Sequence, residues 1–405
     1  MIAAGCHHTS ASIAPRPAVP TVAPIKLELP LIKPTIPVLD GKGVPATQAR
    51  TDFGLRGESF RRLTERDCVL LAAGNASAAN LLDDENRVPP ASGVRNPARE
   101  QLQRTSRYFA ALELRNRAAA DALDRFFQLS DVEARTELLR DGFLIVDAQL
   151  DRAQKAKAAN VRFPLELGDL TRRRSQLVTD LEQAEHGSQL LNLDLKRRLG
   201  LPYQPERERL WPTGDFAIEA VPDAEQAVGT ALADRPELRG LRAAYHGLTP
   251  DTLPTVRELL QAKSPLPGQR LPLALRRLLG RNTGPDPATL AELEVRRKQL
   301  LDLIADRERA VADETRAALL GMNAQVQRIA LARDRVHGWE EKLADAVKKR
   351  DANQPGAELL EAQMRTERLR AKAEVVSEVA AWHQARARLK AAQGGFAWEA
   401  TPEKQ

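Results

Sequence analysis

From Asn96-Pro97 to Phe163-Pro164, apolar residues recur at alternating steps of three and four: Leu102, Phe109, Leu112, Ala119, Leu123 and Phe126, then Leu139, Phe143, Val146, Leu150 and Ala153. Such a stripe belongs to a long helix packed along a narrow seam, and no other feature limits the fold so strongly. Asn96 followed by Pro97 predicts the helix start, a capping side chain with proline at the first helical position. Continuous over 97–161, the rod would measure about 100 Å. Ser130-Asp131-Val132-Glu133 resembles a capping box and predicts a restart or bend there. After Pro164 a second helix carries Leu170, Leu177, Leu181, Leu191 and Leu195 and stops at Leu199-Gly200-Leu201-Pro202. The short turn between the two forces them antiparallel.

The plan repeats. From Pro287 to Asn353, Met322, Ile329, Val336 and Leu343 recur every seven residues, with Ala332, Trp339 and Ala346 between them. A turn at Gln354-Pro355-Gly356 leads into a helix from Ala357 to Gln393, stopped by Gly394-Gly395. A shift of 194 residues brings Leu195 onto Leu389 and Gly200 onto Gly394, which reads as an internal duplication of one helical hairpin. The expected fold is therefore all-α, duplicated long antiparallel hairpins with little or no β. Its parts are an N-terminal segment and proline-rich linker (1–50), a short helical entry (51–95), a first hairpin (96–200), a connector of loops and short helices without strands (201–285), a second hairpin (286–394) and a tail (395–405).

Composition agrees with rods rather than a thick core: aromatic residues make up 4% of the 405. The net charge of +6 is spread along solvated helix faces. The basic runs Arg172-Arg173-Arg174 and Lys348-Lys349-Arg350 are not interleaved with stacking aromatics, so no nucleic-acid partner is expected. No run of 18 or more apolar residues is present to form a spanning helix.

Ile2-Ala3-Ala4-Gly5-Cys6 looks like the end of a bacterial lipoprotein signal, with Cys6 as the lipid-modified residue and a charged, apolar leader expected upstream of Met1. Eight prolines between Pro15 and Pro45 predict an extended spacer. His7 and His8 beside Cys6 are a weak metal pattern. Cys68 is expected to be a partly buried packing residue without a disulfide. There is no P-loop, dinucleotide turn, serine elbow or metal-spaced Cys and His cluster, and the other histidines, His186, His246, His337 and His383, are scattered. Neither catalysis nor a cofactor is expected.

The duplicated hairpin, the segment Ala233-Asp234-Arg235-Pro236-Glu237-Leu238 between the copies, and the last helix with Leu359-Leu360-Glu361-Ala362-Gln363, Trp382-His383-Gln384-Ala385, Leu389 and Ala392-Gln393-Gly394 resemble the TolC-type outer-membrane efflux proteins. Gly168-Asp169-Leu170 and Leu195 to Pro202 are the counterparts in the first copy. The resemblance covers roughly residues 60–394. It implies a homo-oligomer, a trimer, whose helical barrel forms a passive tunnel wall, lipid-anchored at Cys6 in the outer membrane and facing the periplasm. It also implies partners, a periplasmic adaptor and an inner-membrane pump, met by the hairpin tips: Phe163, Pro164, Gly168 and Asp169 in one copy, Gln354, Pro355 and Gly356 in the other. Asp169 would join a ring of carboxylates at the tunnel mouth, or else simply shape the turn and begin a helix. One departure is large. The family's barrel strands need about ten residues of alternating apolar character each, and neither 81–95 nor 246–287 offers them. Two readings follow: an export component, or a barrel-less, lipid-anchored periplasmic scaffold with no transport of its own.

Overall fold

Asn96 does cap a helix: its side chain accepts from the Arg99 amide, Pro97 occupies the first turn, and α3 runs from Pro97 to Ala158 without interruption. Its 62 residues span about 93 Å at 1.5 Å per residue. The expected restart at Ser130 does not occur. The Ser130 hydroxyl donates to the Phe126 carbonyl one turn back at 2.9 Å, so it joins the helix rather than beginning one. Glu133, the other half of the apparent box, accepts from Ser188 of the neighbouring helix.

The protein is described by a computed structural model covering residues 27–43, 59–89, 96–161, 165–202, 208–263 and 287–399. Before α3 come β1 (Leu31–Ile32), β2 (Ser59–Thr64), α1 (Glu65–Gly74) and α2 (Ser77–Arg87). After it come α4 (Leu167–Arg198), β3 (Glu208–Thr213), α5 (Ala224–Asp234), α6 (Pro236–His246) and α7 (Leu253–Lys263). The second hairpin is α8 (Pro287–Asp351) and α9 (Ala357–Ala392), closed by a 3-10 turn at Gly395–Trp398.

The four long helices form one layer in the order α4, α3, α9, α8. Arg125 to Asp194 (3.0 Å) joins α3 to α4. Ser377 to Asp131 (3.0 Å) and Asn116 to the Ala391 carbonyl (2.8 Å) join α9 to α3. Gln325 to the Glu378 carbonyl (3.1 Å) joins α8 to α9. Down-running α3 and α8 alternate with up-running α4 and α9, so every long neighbour is antiparallel.

The duplication extends to the helix ends. Gly200 (φ 64°) and Gly394 (φ 72°) both adopt the left-handed turn that favours glycine. Each is also pressed against a short-helix junction: a Cβ on Gly200 would meet Asn75 at 2.7 Å, and one on Gly394 would meet Pro236 at 3.0 Å. Asn75, in the α1–α2 turn, donates to the Leu199 carbonyl, and Arg235, in the α5–α6 turn, donates to the Ala392 carbonyl. Equivalent turns thus cap equivalent rods, and β2-α1-α2-α3-α4 is repeated as β3-α5-α6-α8-α9. Only the second copy has α7 and residues 264–286 inserted before its long helix.

Two expectations are corrected here. The connector holds a strand: β3 pairs in parallel with β2 from Ser59↔Glu208 to Thr64↔Thr213, so the entry segment likewise opens with a strand. Parallel pairing follows from the duplication, because equivalent strands of side-by-side copies point the same way. No alternation announced β3, since Arg209, Leu210, Trp211 and Pro212 are buried or nearly so on both faces. Its outer edge is covered by a side chain standing in for a strand: Asn192 of α4 donates to the Leu210 carbonyl (3.1 Å) and accepts from its amide (2.7 Å).

The second correction concerns the proline-rich stretch. Residues 27–43 are not a spacer but an arm packed on the body. Leu29 and Leu39 are buried, β1 pairs antiparallel with β2, the Trp211 indole donates to the Thr35 carbonyl (2.7 Å), and Arg333 donates to the Asp40 carbonyl (2.5 Å). The arm and sheet surround a waist where five large aromatics gather: Phe126, Phe127, Phe216, Trp382 and Phe396 share one core with Cys68. Cys68 is fully rather than partly buried, and burial pushes its thiol pKa up, with Glu65 and Asp67 adding to the shift.

A buried ion pair fixes α2 on α3. Arg115, fully buried, donates to Asp83 (2.7 Å) and Asn80 (3.0 Å). Arg115→Ala should lower unfolding free energy by about 3–5 kcal/mol, because it strands the Asp83 carboxylate. Asn192→Ala should lower it by about 1–3 kcal/mol by uncapping Leu210. Urea melts of both variants check these magnitudes.

Candidate functional site

The far end of the layer is built by two turns of one design. After α3 the Val161 amide bonds to the Ala156 carbonyl and the Asn160 amide to Lys157; after α8 the Gln354 amide bonds to Lys349 and the Asn353 amide to Arg350. Asn160 and Asn353 both sit at φ 53°, the left-handed position that asparagine tolerates better than most residues. Sequence reasoning passed over both. The available signal was Ala-Asn following a basic last turn, Lys155 and Lys157 in one copy and Lys348, Lys349 and Arg350 in the other.

Gly168 and Asp169 fall in the first turn of α4. Gly168 has open space around it, and Asp169 is exposed, pairing with Arg172 at 3.1 Å. A carboxylate there meets the positive end of the helix dipole. Gln354 and Pro355 are exposed in the second turn, and the Gln354 carbonyl accepts from the Ala357 amide (3.2 Å). Gly356 (φ 78°) opens α9, with nothing within 4 Å of where a Cβ would sit; it is needed for its backbone angle, not for room. Phe163, Pro164 and Cys6 lie outside the described residues.

The fold brings the two tips together. Arg152 of α3 pairs with Glu358 of α9 at 2.8 Å, and Arg174 pairs with Asp147 at 2.6 Å while lying over the Phe143 ring. Between the tips opens a cleft of about 710 Å³ whose walls include Gln149, Arg152, Asn353, Gln354, Glu358 and Leu359. Its wall is polar and carries no nucleophile and base within reach of one another. Among the described residues no group of three or more His, Cys, Asp or Glu converges as a metal site. Exposed pairs such as Arg152–Glu358 are worth only about 0–1 kcal/mol, so they can exchange partners with an incoming surface at little cost. The cleft is suited to docking.

The layer's two edges carry a second feature. Leu190 and Leu193 on α4 are 53% and 51% exposed, and Leu320 and Leu331 on α8 are 69% and 61% exposed. Leu193 and Leu320 lie near one height, because Ser188 meets Glu133, Ser377 meets Asp131, and Glu378 meets Gln325 on α8, whereas Leu331 lies about 16 Å farther toward the tips.

At the opposite end only residues 88–96 separate α2 from α3, too few for a pair of spanning strands of about 9–11 residues each. In the second copy α7 packs at this end, burying Leu253, Val256 and Leu260 against Leu102, Leu293 and Leu300. Arg257 and Arg296 both bind the buried Glu292 carboxylate there. Among the described residues no helix is long and apolar enough to cross a membrane.

No protein-family model and no curated protein sequence matches the chain. Solved structures do. The CmeC outer membrane channel of Campylobacter jejuni superposes with a TM-score of 0.54 at 10% identity, covering 74% of this chain and 67% of that one. VceC, an outer membrane protein of Vibrio cholerae, gives 0.51 at 13% identity, covering 74% of each chain. The open state of the MtrE outer membrane channel of Neisseria gonorrhoeae gives 0.51 at 11% identity, covering 84% of this chain and 90% of that one. The resemblance read from the residues is thus shared at the level of fold: the chain is built like the helical body of these channels.

At the tips, Asn353→Ala should destabilise by about 1–2 kcal/mol, whereas Asn353→Gly should be close to neutral, because only the alanine meets the left-handed penalty. Thermal melts of the pair, with Asn160 as the duplicate control, test whether both turns obey one rule.

Proposed function

We propose that copies of this chain join edge to edge, α4 of one against α8 of the next, into a closed ring whose wall is the passive helical tunnel of a bacterial envelope export assembly. The observation that carries this reading is the strict up-and-down alternation of α4, α3, α9 and α8, with exposed leucines on both outer helices, Leu193 and Leu320 near one height. Adding a copy in the same orientation places a down-running α8 beside an up-running α4, so the antiparallel rule continues across the junction. That the superposed proteins are outer-membrane channels and not enzymes supports the same reading. Three copies, as the family resemblance implies, would give a twelve-helix wall.

Four half-exposed leucines per junction contribute only several kcal/mol, against about 4–15 kcal/mol lost in association. The junction therefore depends on the whole edge, and a single charge within it is decisive. In this assembly the tips, with Gly168, Asp169, Gln354, Pro355 and Gly356, meet a periplasmic adaptor that leads to an inner-membrane pump. A lipid on Cys6 holds the chain at the outer membrane.

The short α2–α3 link favours a second reading, a lipid-anchored scaffold that uses the same rods without conducting. The two part company in a planar bilayer: steady current from the mature lipoprotein supports the tunnel, and its absence at adequate loading leaves the scaffold.

Leu193→Asp and Leu320→Asp should each shift the oligomer to single chains in light scattering after gel filtration, with helical content unchanged. Cysteines at 193 and 320 should cross-link between copies. Wild-type chains that remain monomeric at high concentration in detergent would end the ring proposal.

A further inference from the structure

His383 is buried at the waist with 2% of its surface exposed; neither ring nitrogen makes a well-formed hydrogen bond, though the Phe216 backbone lies close enough to favour the charged ring. Its ring is boxed by aromatics: Phe127 stacks on it at 5.0 Å, Trp382 meets it edge-on at 4.9 Å, and Phe216 meets it edge-on at 5.8 Å. Phe216 is itself unusual. It sits at φ 43°, a backbone conformation that bulky side chains rarely adopt, and is held there by Phe126, Phe127 and His383. The strained residue is the plug by which residues 214–221 attach to the helices.

That loop in turn holds the N-terminal arm. The Ile218 amide donates to the Gly41 carbonyl (3.2 Å), and Gly41 and Gly43 (φ 72° and 73°) lie flush against Ile218 and Ala217. Plug, loop and arm thus form one strap across the waist; the loop is fastened to the long helices at the aromatic box and by Glu219 on Arg386, the arm separately by Arg333 and by its buried Leu29 and Leu39.

We propose that this loop is an acid-released latch, with His383 as its catch: protonation of the buried imidazole ejects Phe216 and frees residues 214–221, while the arm keeps its own anchors on β2, Trp211 and Arg333. The charged groups around the imidazole come from each neighbouring element. Arg386 lies on α9, Asp215 on the loop, and Glu65 of α1 and Glu219 of the loop both bind Arg386. On α3, Asp124 is already engaged by Arg388 and Gln128. Burial, then Arg386, lowers the imidazole from its ordinary 6.5 to about 4, while the Phe216 backbone and Asp215 pull weakly the other way.

The sign follows. A closed latch holds His383 neutral down to about pH 4, whereas an open latch exposes it to water, where it binds a proton near pH 6.5. Between those values the open state carries the extra proton, so opening rises up to tenfold per pH unit of acidification, about two orders of magnitude in all. This behaviour does not depend on the ring.

Hydrogen exchange on the full chain tests the latch. After correction for intrinsic rates, amides of 214–221 should open about a hundredfold more at pH 4.5 than at pH 7, while waist amides of α3 and α9 stay protected. His383→Phe, which keeps the box filled but cannot titrate, should remove that dependence. An equal acid response in this variant, or none in the wild type, overturns the proposal. Should the variant fail to fold, NMR titration of the wild-type imidazole decides: a midpoint near 6.5 with the loop still protected refutes the latch, and coupled titration and opening well below it upholds it.

Discussion

The interface between α3 and α9 is the one contact on which the rest of the molecule depends, because it alone joins the two copies along their length. Helices of this kind have no deep interior, and each hairpin could splay from the other at little loss in its own seam. The structure prevents that by concentrating buried bulk at one level. Phe126, Phe127, Trp382 and Phe396 lock the rods at the waist, and Asn116, Asp131 and Gln384 register α9 against α3 by hydrogen bonds on either side. Shape-specific packing in one short zone leaves the distal halves as a simple layer.

Duplication explains how the waist is built. Each copy brings a strand, two short helices and a hairpin, and the short-helix turns clamp the returning rods through Asn75 and Arg235. Two strands brought side by side by the same pseudo-symmetry pair in parallel, and the arm adds the third. Where the copies differ, at α7, the difference lies at the end opposite the tips. The extra helix packs there with its own apolar cluster and a buried arginine–glutamate network.

Charge has two uses along the rods. Many ion pairs are exposed, a good share of them one turn apart on a single helix, and contribute little to stability. A few rest on a buried arginine: Arg115 with Asp83, Arg257 and Arg296 with Glu292, and Arg235 with Glu113 of α3 and Glu314 of α8. Breaking these would be costly, so they fix which short helix lies against which rod. The exposed pairs at the tips, such as Arg152 with Glu358, lie apart from these buried ones and can exchange partners at little cost to the fold.

The sequence by itself determined the rods and their ends. Asn96-Pro97, Leu199-Gly200 and Gln393-Gly394 are local signals, and seam periodicity survives in any context because a helix closes its own hydrogen bonds. Strand β3 could not be read that way. Its hydrogen bonds are completed by β2 and by the side chain of Asn192, both remote in sequence, and burial on two faces erased its alternation. The packed arm was hidden for a similar reason: prolines suit an extended chain whether it is free or held, and only Trp211 and Arg333 decide that it is held. At the candidate site the residues that shape the turns, Asn160 and Asn353, were not singled out for that role, and the cleft needed both hairpins side by side. The lateral order α4, α3, α9, α8, the burial of Arg115 and the aromatic box around His383 were left to tertiary structure, because a periodic pattern states which face of a helix is covered but not by what.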